Sequence, residues 1–212
     1  MDINLNGRLL YIIPGISIDL LRLLKGGSMV QILLLCMMLF QSASPTATKP
    51  VIDNDRVSVL DVSDYSTSAQ PTDAVVVSLS GNAVYVPKGA ASKISGRSFV
   101  IALKDHSVPP IENKSGYPLA FPRPGTKKLF ENDRVIVWDS TWTPGVATPM
   151  HFHDKDVVVV FLEDGDLKST TPDGKEVVNK YTTGTVRFNQ RDRIHTETLM
   201  NGKQRAIITE LK

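Results

Sequence analysis

The octamer "NDRVSVLD" at 54–61 returns as "NDRVIVWD" at 132–139, identical at six of eight positions. A second pair keeps the order and nearly the spacing. "DAVVVSLSGN" at 73–82 parallels "DVVVVFLEDGD" at 156–166, with Gly81 answering Gly165. Two Val-rich runs can resemble one another by chance, but chance does not account for the Asn, Asp and Arg of the octamer. Self-similarity of this kind marks repeated structural units. We therefore read two β units of similar length, 50–130 and 131–212, as a diverged duplication that follows a leader at 1–47.

The units are β rather than helical. "RVIVWDSTW" (134–142), "DVVVVFLEDGDLKST" (156–170), "GTVRFN" (184–189) and "RAIITEL" (205–211) are short runs of Val, Ile, Thr and aromatic residues, and no long segment has a helical period. Asp164-Gly165 and Pro172-Asp173-Gly174 carry hairpin chemistry, because Asp and Gly tolerate the positive φ of tight turns. Short strands at regular spacing predict a sandwich or a barrel. At 212 residues and 42% hydrophobic the chain can bury a core. Its net charge of +2, with basic residues scattered, leaves no electrostatic footprint for nucleic acid.

The leader differs from the rest. Arg8, Arg22 and Lys25 precede an apolar core of nine residues, Ile32 to Phe40, and the small, polar "QSASPTATKP" follows. This is the pattern of a secretory signal, with cleavage expected between Ala43 and Ala47 and export to the periplasm or the medium. The core is far shorter than the roughly 20 residues of a spanning helix, so no stable membrane span is expected. An uncleaved N-terminal anchor is the alternative. The only cysteine, Cys36, lies in the apolar core behind the bulky Leu35, which argues against lipid attachment. Removal of the leader would leave no thiol, hence no disulfide and no thiolate ligand.

Three of the four histidines fall in the second unit: His151, His153 and His195. On a strand, residues i and i+2 face the same side, so His151 and His153 point together into one space. Neutral imidazole is a nitrogen ligand for many transition ions. His195 follows a separate strand and can close such a site from across a barrel.

These histidines sit in a glycine framework that resembles the cupin superfamily. Gly145, His151, His153 and Gly165 fit the family's first motif, G-x5-H-x-H-x3/4-E-x6-G. Gly184 and His195 fit its second, G-x5-P-x-G-x2-H-x3-N. The departures are the acidic position, which falls on Val157 or Val158, and the second motif's Pro, Gly and Asn, which are Gln190, Asp192 and Leu199. The resemblance implies an all-β jelly-roll barrel, here expected as two tandem units, a bicupin whose second unit carries the site. It also implies an internal divalent metal ion, Fe, Mn, Ni, Cu or Zn, on three histidines and usually one glutamate. Here a three-histidine site is expected. Asp156 is the candidate fourth ligand; a regular strand would turn it away from His153, and a bulge before Val157 would bring it inward. The first unit reads as degenerate, with "STSAQPTD" at 66–73 in place of His-x-His and His106 as a relic of the second motif.

Other features have a bland reading beside a functional one. Trp138 and Trp142 share a strand face and read as core packing. Glu197 and Glu163 are proton-transfer candidates if the barrel aims them at the metal. Arg187, Arg191 and Arg193 bind an anionic substrate or merely solvate strand edges. "YPLAFPRPG" (117–125) reads as an ordered crossing loop between the units, or as a lid. Two functions follow: a metal-dependent enzyme, dioxygenase- or isomerase-like, acting on a small organic substrate, or a non-catalytic module that binds or stores a metal or small ligand. The expected partners are a small molecule and a second copy of the chain.

Overall fold

The computed structural model describes residues 49–212 and, before them, the backbone of three short strands, within two compact units, Met1–Ala47 and Thr48–Lys212. In the first unit β1 (Asp2–Ile3), β2 (Leu9–Ile13) and β3 (Ile16–Asp19) form an antiparallel meander. The apolar run Ile32 to Phe40, Cys36 and the expected cleavage segment lie outside the described residues. Among the described residues no helix is long and apolar enough to cross a membrane.

The second unit is all-β. Its first half runs β4 (Ile52–Asp53), β5 (Val57–Val62), β6 (Tyr65–Thr67), β7 (Ala74–Ser78), β8 (Ala83–Val86), β9 (Ser92–Ile94) and β10 (Ser98–Leu103). Its second half runs β11 (Thr126–Glu131), β12 (Val135–Trp142), β13 (His151–His153), β14 (Asp156–Phe161), β15 (Gly165–Thr170), β16 (Glu176–Tyr181), β17 (Val186–Asn189), β18 (Arg193–Gly202) and β19 (Gln204–Leu211). The sheets have the orders β4-β5-β10-β7-β8, β11-β12-β19-β14-β17, β13-β18-β15-β16 and β6-β9. The first two orders match strand for strand, as do the pairs β6-β9 and β13-β18. The second half differs by one inserted hairpin, β15-β16, which widens its smaller sheet. β11 pairs with β12, so the second five-stranded sheet begins at Thr126, ahead of residue 131.

Packing explains the Val runs. The two five-stranded sheets lie face to face over one apolar layer, to which Val57, Val59, Val75, Val77, Phe99, Ile101 and Leu103 contribute from the first and Val135, Val137, Val158, Val160, Leu162, Ile207 and Leu211 from the second. Alternate residues of the same strands point the other way. Ala74, Val76 and Val100 pack beneath β6-β9, while Val157, Val159 and Phe161 pack toward the sheet that holds β13. Central strands covered on both faces show no polar alternation, which is why β7 and β14 are buried along their whole length.

The repeated octamer closes this interface reciprocally. Asn54 Oδ1 accepts from the backbone N–H groups of Arg56 and Val57, and Asn132 Oδ1 accepts from those of Arg134 and Val135. Each turn aims its arginine into the other half: Arg56 reaches Asp156 at 2.5 Å and the Lys212 carbonyl at 3.1 Å, and Arg134 reaches Asp73 at 3.0 Å and the Lys104 carbonyl at 2.8 Å. The same reciprocity relates Gly81, which lies against the Arg205 guanidinium, to Gly184, which lies against that of Arg97. The structural counterpart of Gly81 is therefore Gly184, and not Gly165. Gly81 precedes β8 directly, whereas the inserted hairpin separates Gly165 from the equivalent strand, β17.

Of the two expected hairpins, Pro172-Asp173-Gly174 joins the paired strands β15 and β16, with Gly174 at φ 81°. Asp164-Gly165 does not make one: it carries the chain from β14 in one sheet to β15 in the other. Turn chemistry specifies a bend but not the pairing that follows it. Gly165 is needed for close approach, since a Cβ there would lie 2.6 Å from Gln204 Oε1 and 2.9 Å from the Lys203 carbonyl.

The two arginines differ in exposure, and so in what their loss does. The Arg56 and Asp156 side chains are 8% and 9% exposed, against 30% and 22% for Arg134 and Asp73. Arg56→Met leaves a carboxylate buried without its cation and should lower the unfolding free energy by about 3 kcal/mol. Arg134→Met should lower it by about 1 kcal/mol or less. Denaturant unfolding of both variants checks this ranking.

Candidate metal centre

Strand alternation and register assemble the three histidines. β13 presents His151 and His153 on its inner face, and its antiparallel partner β18 sets His195 opposite His151 and Arg193 opposite His153. The loop before β13 is tied to β18 by Gly145 N–H to the Leu199 carbonyl (2.9 Å) and Thr148 N–H to the Glu197 carbonyl (2.8 Å). Gly145 needs its φ of 72° to make that turn. At the far end Asp192 N–H donates to the His153 carbonyl at 2.8 Å. Asp192 stands where the second motif has glycine, and it keeps the left-handed backbone, φ 64°, which Asp adopts more readily than most residues.

One ring nitrogen from each of His151, His153 and His195 lies within 4.8 Å of those of the other two. His151 Nδ1 is 2.7 Å from the Pro149 carbonyl, which fixes its proton there and turns the Nε2 lone pair inward. His153 Nε2 and His195 Nε2 are 3.2 Å apart, close to the spacing of two ligands that share a tetrahedral ion at about 2.0–2.1 Å. His195 Nδ1 faces Ser169 Oγ at 3.4 Å. The donor set and its spacing fit a divalent transition ion.

Asp156 is not part of this cluster. Its carboxylate takes Arg56 on one oxygen and Arg191 N–H, at 2.9 Å, on the other. The chain leaves β13 at Asp154–Lys155 and re-enters in β14 of the other sheet, where Asp156 lies on the opposite face from the cavity-lining Val157. The inward position, where the first motif has glutamate, belongs to Val157, and Val158 faces the inter-sheet layer. His106 is exposed and outside the cluster.

Beside the histidines is a cavity of about 150 Å³ whose walls include Val157, Val159, Phe161 and Ile208. The inserted hairpin adds Leu167, Ser169, Asn179 and Tyr181. Trp142 faces this cavity, while Trp138 packs in the core with its indole N–H on Glu210 at 2.7 Å. Glu197 is on the cavity wall and accepts from Trp142 Nε1 at 3.0 Å and Arg123 Nη2 at 3.2 Å. Glu163 is exposed, away from the cavity. Arg187 and Arg193 line the cavity, whereas Arg191 binds the Pro109 carbonyl elsewhere.

Arg123 is the site residue that the sequence reading missed. It belongs to 117–125, which is more than a crossing loop: Ala120 N–H donates to the Phe152 carbonyl and Phe152 N–H to the Pro118 carbonyl, so the segment lines β13. Ala120 and Phe121 enter the core, and the Arg123 guanidinium lies 4.7 Å from the Phe121 ring centroid with Nη1 3.4 Å from His151 Nε2. The signal was an arginine between two prolines, Pro122 and Pro124, which stiffen the backbone on either side.

Burial, above all, and then the neighbouring arginines hold the imidazoles neutral. His151 is lowered to about 3 by desolvation and then by Arg123, and His195 to about 3 by desolvation and then by Arg193. His153 falls well below its ordinary value, by desolvation first and then by the charge of Arg193. All three offer lone pairs rather than protons at neutral pH.

No family model matches this chain, and no curated protein sequence does. Solved structures similar to it include a cupin domain from Bordetella pertussis Tohama I, at 28% identity over 43% of this chain and 97% of that one (TM-score 0.38). A cupin 2 conserved barrel domain protein from Leptotrichia buccalis is 13% identical over 77% of this chain and 87% of that one (TM-score 0.43). A polyketide cyclase from Streptomyces resistomycificus is 23% identical over 48% of this chain and 78% of that one (TM-score 0.33).

The lowered histidines set a pH dependence for the metal-free protein. An imidazole in the unfolded chain takes its proton near pH 6.5, whereas folded His151 and His195 refuse theirs down to about 3. The stability they contribute is therefore complete above about pH 6.5 and is lost as pH falls toward about 3. Urea midpoints of chelator-treated protein should fall from pH 7 to pH 5, and His195→Gln should flatten that slope.

Proposed function

We propose that the protein holds one divalent transition-metal ion on His151, His153 and His195 and is an enzyme for a small organic molecule bound in the adjoining cavity. The observation that carries this reading is the convergence of three neutral imidazoles within 4.8 Å at a cavity of about 150 Å³. Three protein ligands leave a coordination position for water or substrate, as catalytic sites require. An ion there would polarise a bound carbonyl or activate water or dioxygen.

The chain's own residues have separable tasks. Pro149 and Ser169 orient two of the imidazoles, and Val157, Val159 and Phe161 keep water from the inner wall. Trp142 and Arg123 fix the Glu197 carboxylate at the cavity. His151 Nε2 has one lone pair, so Arg123 Nη1, already bonded to the Ala120 carbonyl at 3.1 Å, gives up its longer contact to that nitrogen when the site is filled. A non-catalytic binding or storage module is the second reading. One observation favours it: Glu197, the acidic group on the cavity wall, is committed to two donors and is not free to act as a base.

Two further parts of the reading rest on sequence and topology. The matched strand orders and reciprocal arginines support a bicupin descended from a duplication, with one live site. The leader supports export. N-terminal sequencing of protein recovered from the periplasm or medium should find a start between Ser44 and Thr48; recovery of the intact leader in the membrane fraction would replace export with anchoring.

Metal analysis tests the core claim. Protein purified without a polyhistidine tag should contain about one ion per chain. His151→Ala and His195→Ala should each lose most of it. Added ion at 100 times its Kd should raise the unfolding free energy by about 2.7 kcal/mol. Absence of uptake, with no change in melting temperature, would remove the site. Oxygen consumption or turnover across a small-acid panel then separates enzyme from binder.

A further inference from the structure

We infer that the ligand of this cavity is a short-chain carboxylate, held by Arg193 with help from Arg187 while its other end faces the histidines. This inference deepens the metal-site reading and rests on it for the orientation of the ligand. Strand alternation puts Arg193, His195 and Glu197 of β18 on the cavity wall, and Arg187 and Asn189 of β17 on the adjacent wall. Asn179 of β16 adds a further polar group, and Val157, Val159, Leu167 and Ile208 supply the apolar part of the wall.

The charges do not balance. The charged groups on the wall are three cations, Arg123, Arg187 and Arg193, against one carboxylate, Glu197. Glu197 is already paired with Arg123 at 3.2 Å. Arg193 donates from Nε to the Gln190 carbonyl at 2.6 Å, and among the described residues no carboxylate pairs with its remaining donors. A partly buried cation in this state is stabilised by a bound anion, and the planar guanidinium fork matches a carboxylate in two hydrogen bonds.

Shape and wall chemistry narrow the anion. About 150 Å³ is below the ~300–1,000 Å³ of sites for drug-sized ligands, so the molecule is short. The apolar wall favours a carbon body over a free inorganic ion. No helix N-terminus is present among the described residues to cradle a phosphate.

The test uses the full chain, both zinc-loaded and after chelation, with butyrate, its neutral isostere butyramide, and inorganic phosphate as probes. Trp142 on the cavity wall gives a fluorescence readout, and calorimetry gives the affinity. Butyrate should bind chelated protein about ten-fold or more tightly than butyramide. Arg193→Gln should abolish this preference while still taking up one zinc per chain. Arg187→Gln, an exposed rim change that keeps the fold, should reduce the preference about three-fold and decides the matter if Arg193→Gln does not fold. Equal binding of butyrate and butyramide, an unchanged preference in both variants, or displacement of butyrate by equimolar phosphate overturns the inference. Failure of zinc uptake with the carboxylate preference intact would sink the metal reading alone; zinc uptake without the preference would sink this one alone.

Discussion

Each half of the described unit contributes seven buried side chains to the layer between the five-stranded sheets, so the contact is built from two equal faces. A five-stranded sheet with an uncovered apolar face would expose a patch large enough to associate or aggregate. Covering it from within the chain leaves the opposite face of each sheet for other uses. On the first half that face is closed by β6-β9 over Ala74, Val76 and Val100. On the second it is spanned by the wider β13-β18-β15-β16 sheet, and the extra width is where the cavity lies. The histidine cluster and the inserted hairpin occur in the same half, and the hairpin supplies a wall that the first half lacks.

The arginines that cross the interface are a specificity device more than a source of stability. A buried ion pair regains in attraction roughly what it loses in desolvation, but a misaligned one leaves charge stranded. Reciprocal placement of Arg56 with Asp156 and Arg134 with Asp73 therefore penalises any sliding of one sheet over the other. It also commits Asp156. Asp156, the expected fourth ligand, is consumed in joining the halves, and the inward position beside it is a valine. The same register that holds the sheets together thus leaves the cluster at three imidazoles.

Much of this was legible in the sequence. The octamer and the Val runs predicted related β units, and the spacing of His151, His153 and His195 predicted their convergence. Those inferences depend on periodicity, which the backbone imposes whatever the tertiary context. Asp156 does face outward, but the break at Asp154–Lys155 between β13 and β14 sets that direction, not parity along one regular strand. The rest depended on contacts that local pattern does not encode. Asp164-Gly165 reads as a hairpin because bend chemistry is the same whether the chain returns to its own sheet or crosses to another. Gly81 aligned with Gly165 because the inserted hairpin hid the true counterpart, Gly184. Arg123 was missed because its neighbours are prolines, and nothing local says that a Pro-rich segment lies along β13 and enters the core.

Low dielectric pushes both kinds of base in this cavity the same way, with different outcomes. Desolvation carries the histidines past neutrality, to about 3 for His151 and His195, because their ordinary value lies close to neutral pH. It also lowers Arg123 and Arg193, but a guanidinium starts so far above neutral pH that it stays charged. One environment thus yields uncharged electron-pair donors beside fixed cations. The consequences for binding are opposite in sign. A metal ion gains lone pairs with no proton to displace but meets repulsion from Arg123 and Arg193. An anion gains from those same arginines, and once it is bound the local charge that opposes the metal falls. Metal and anionic ligand are therefore expected to bind with positive coupling, each raising the other's affinity by the same factor.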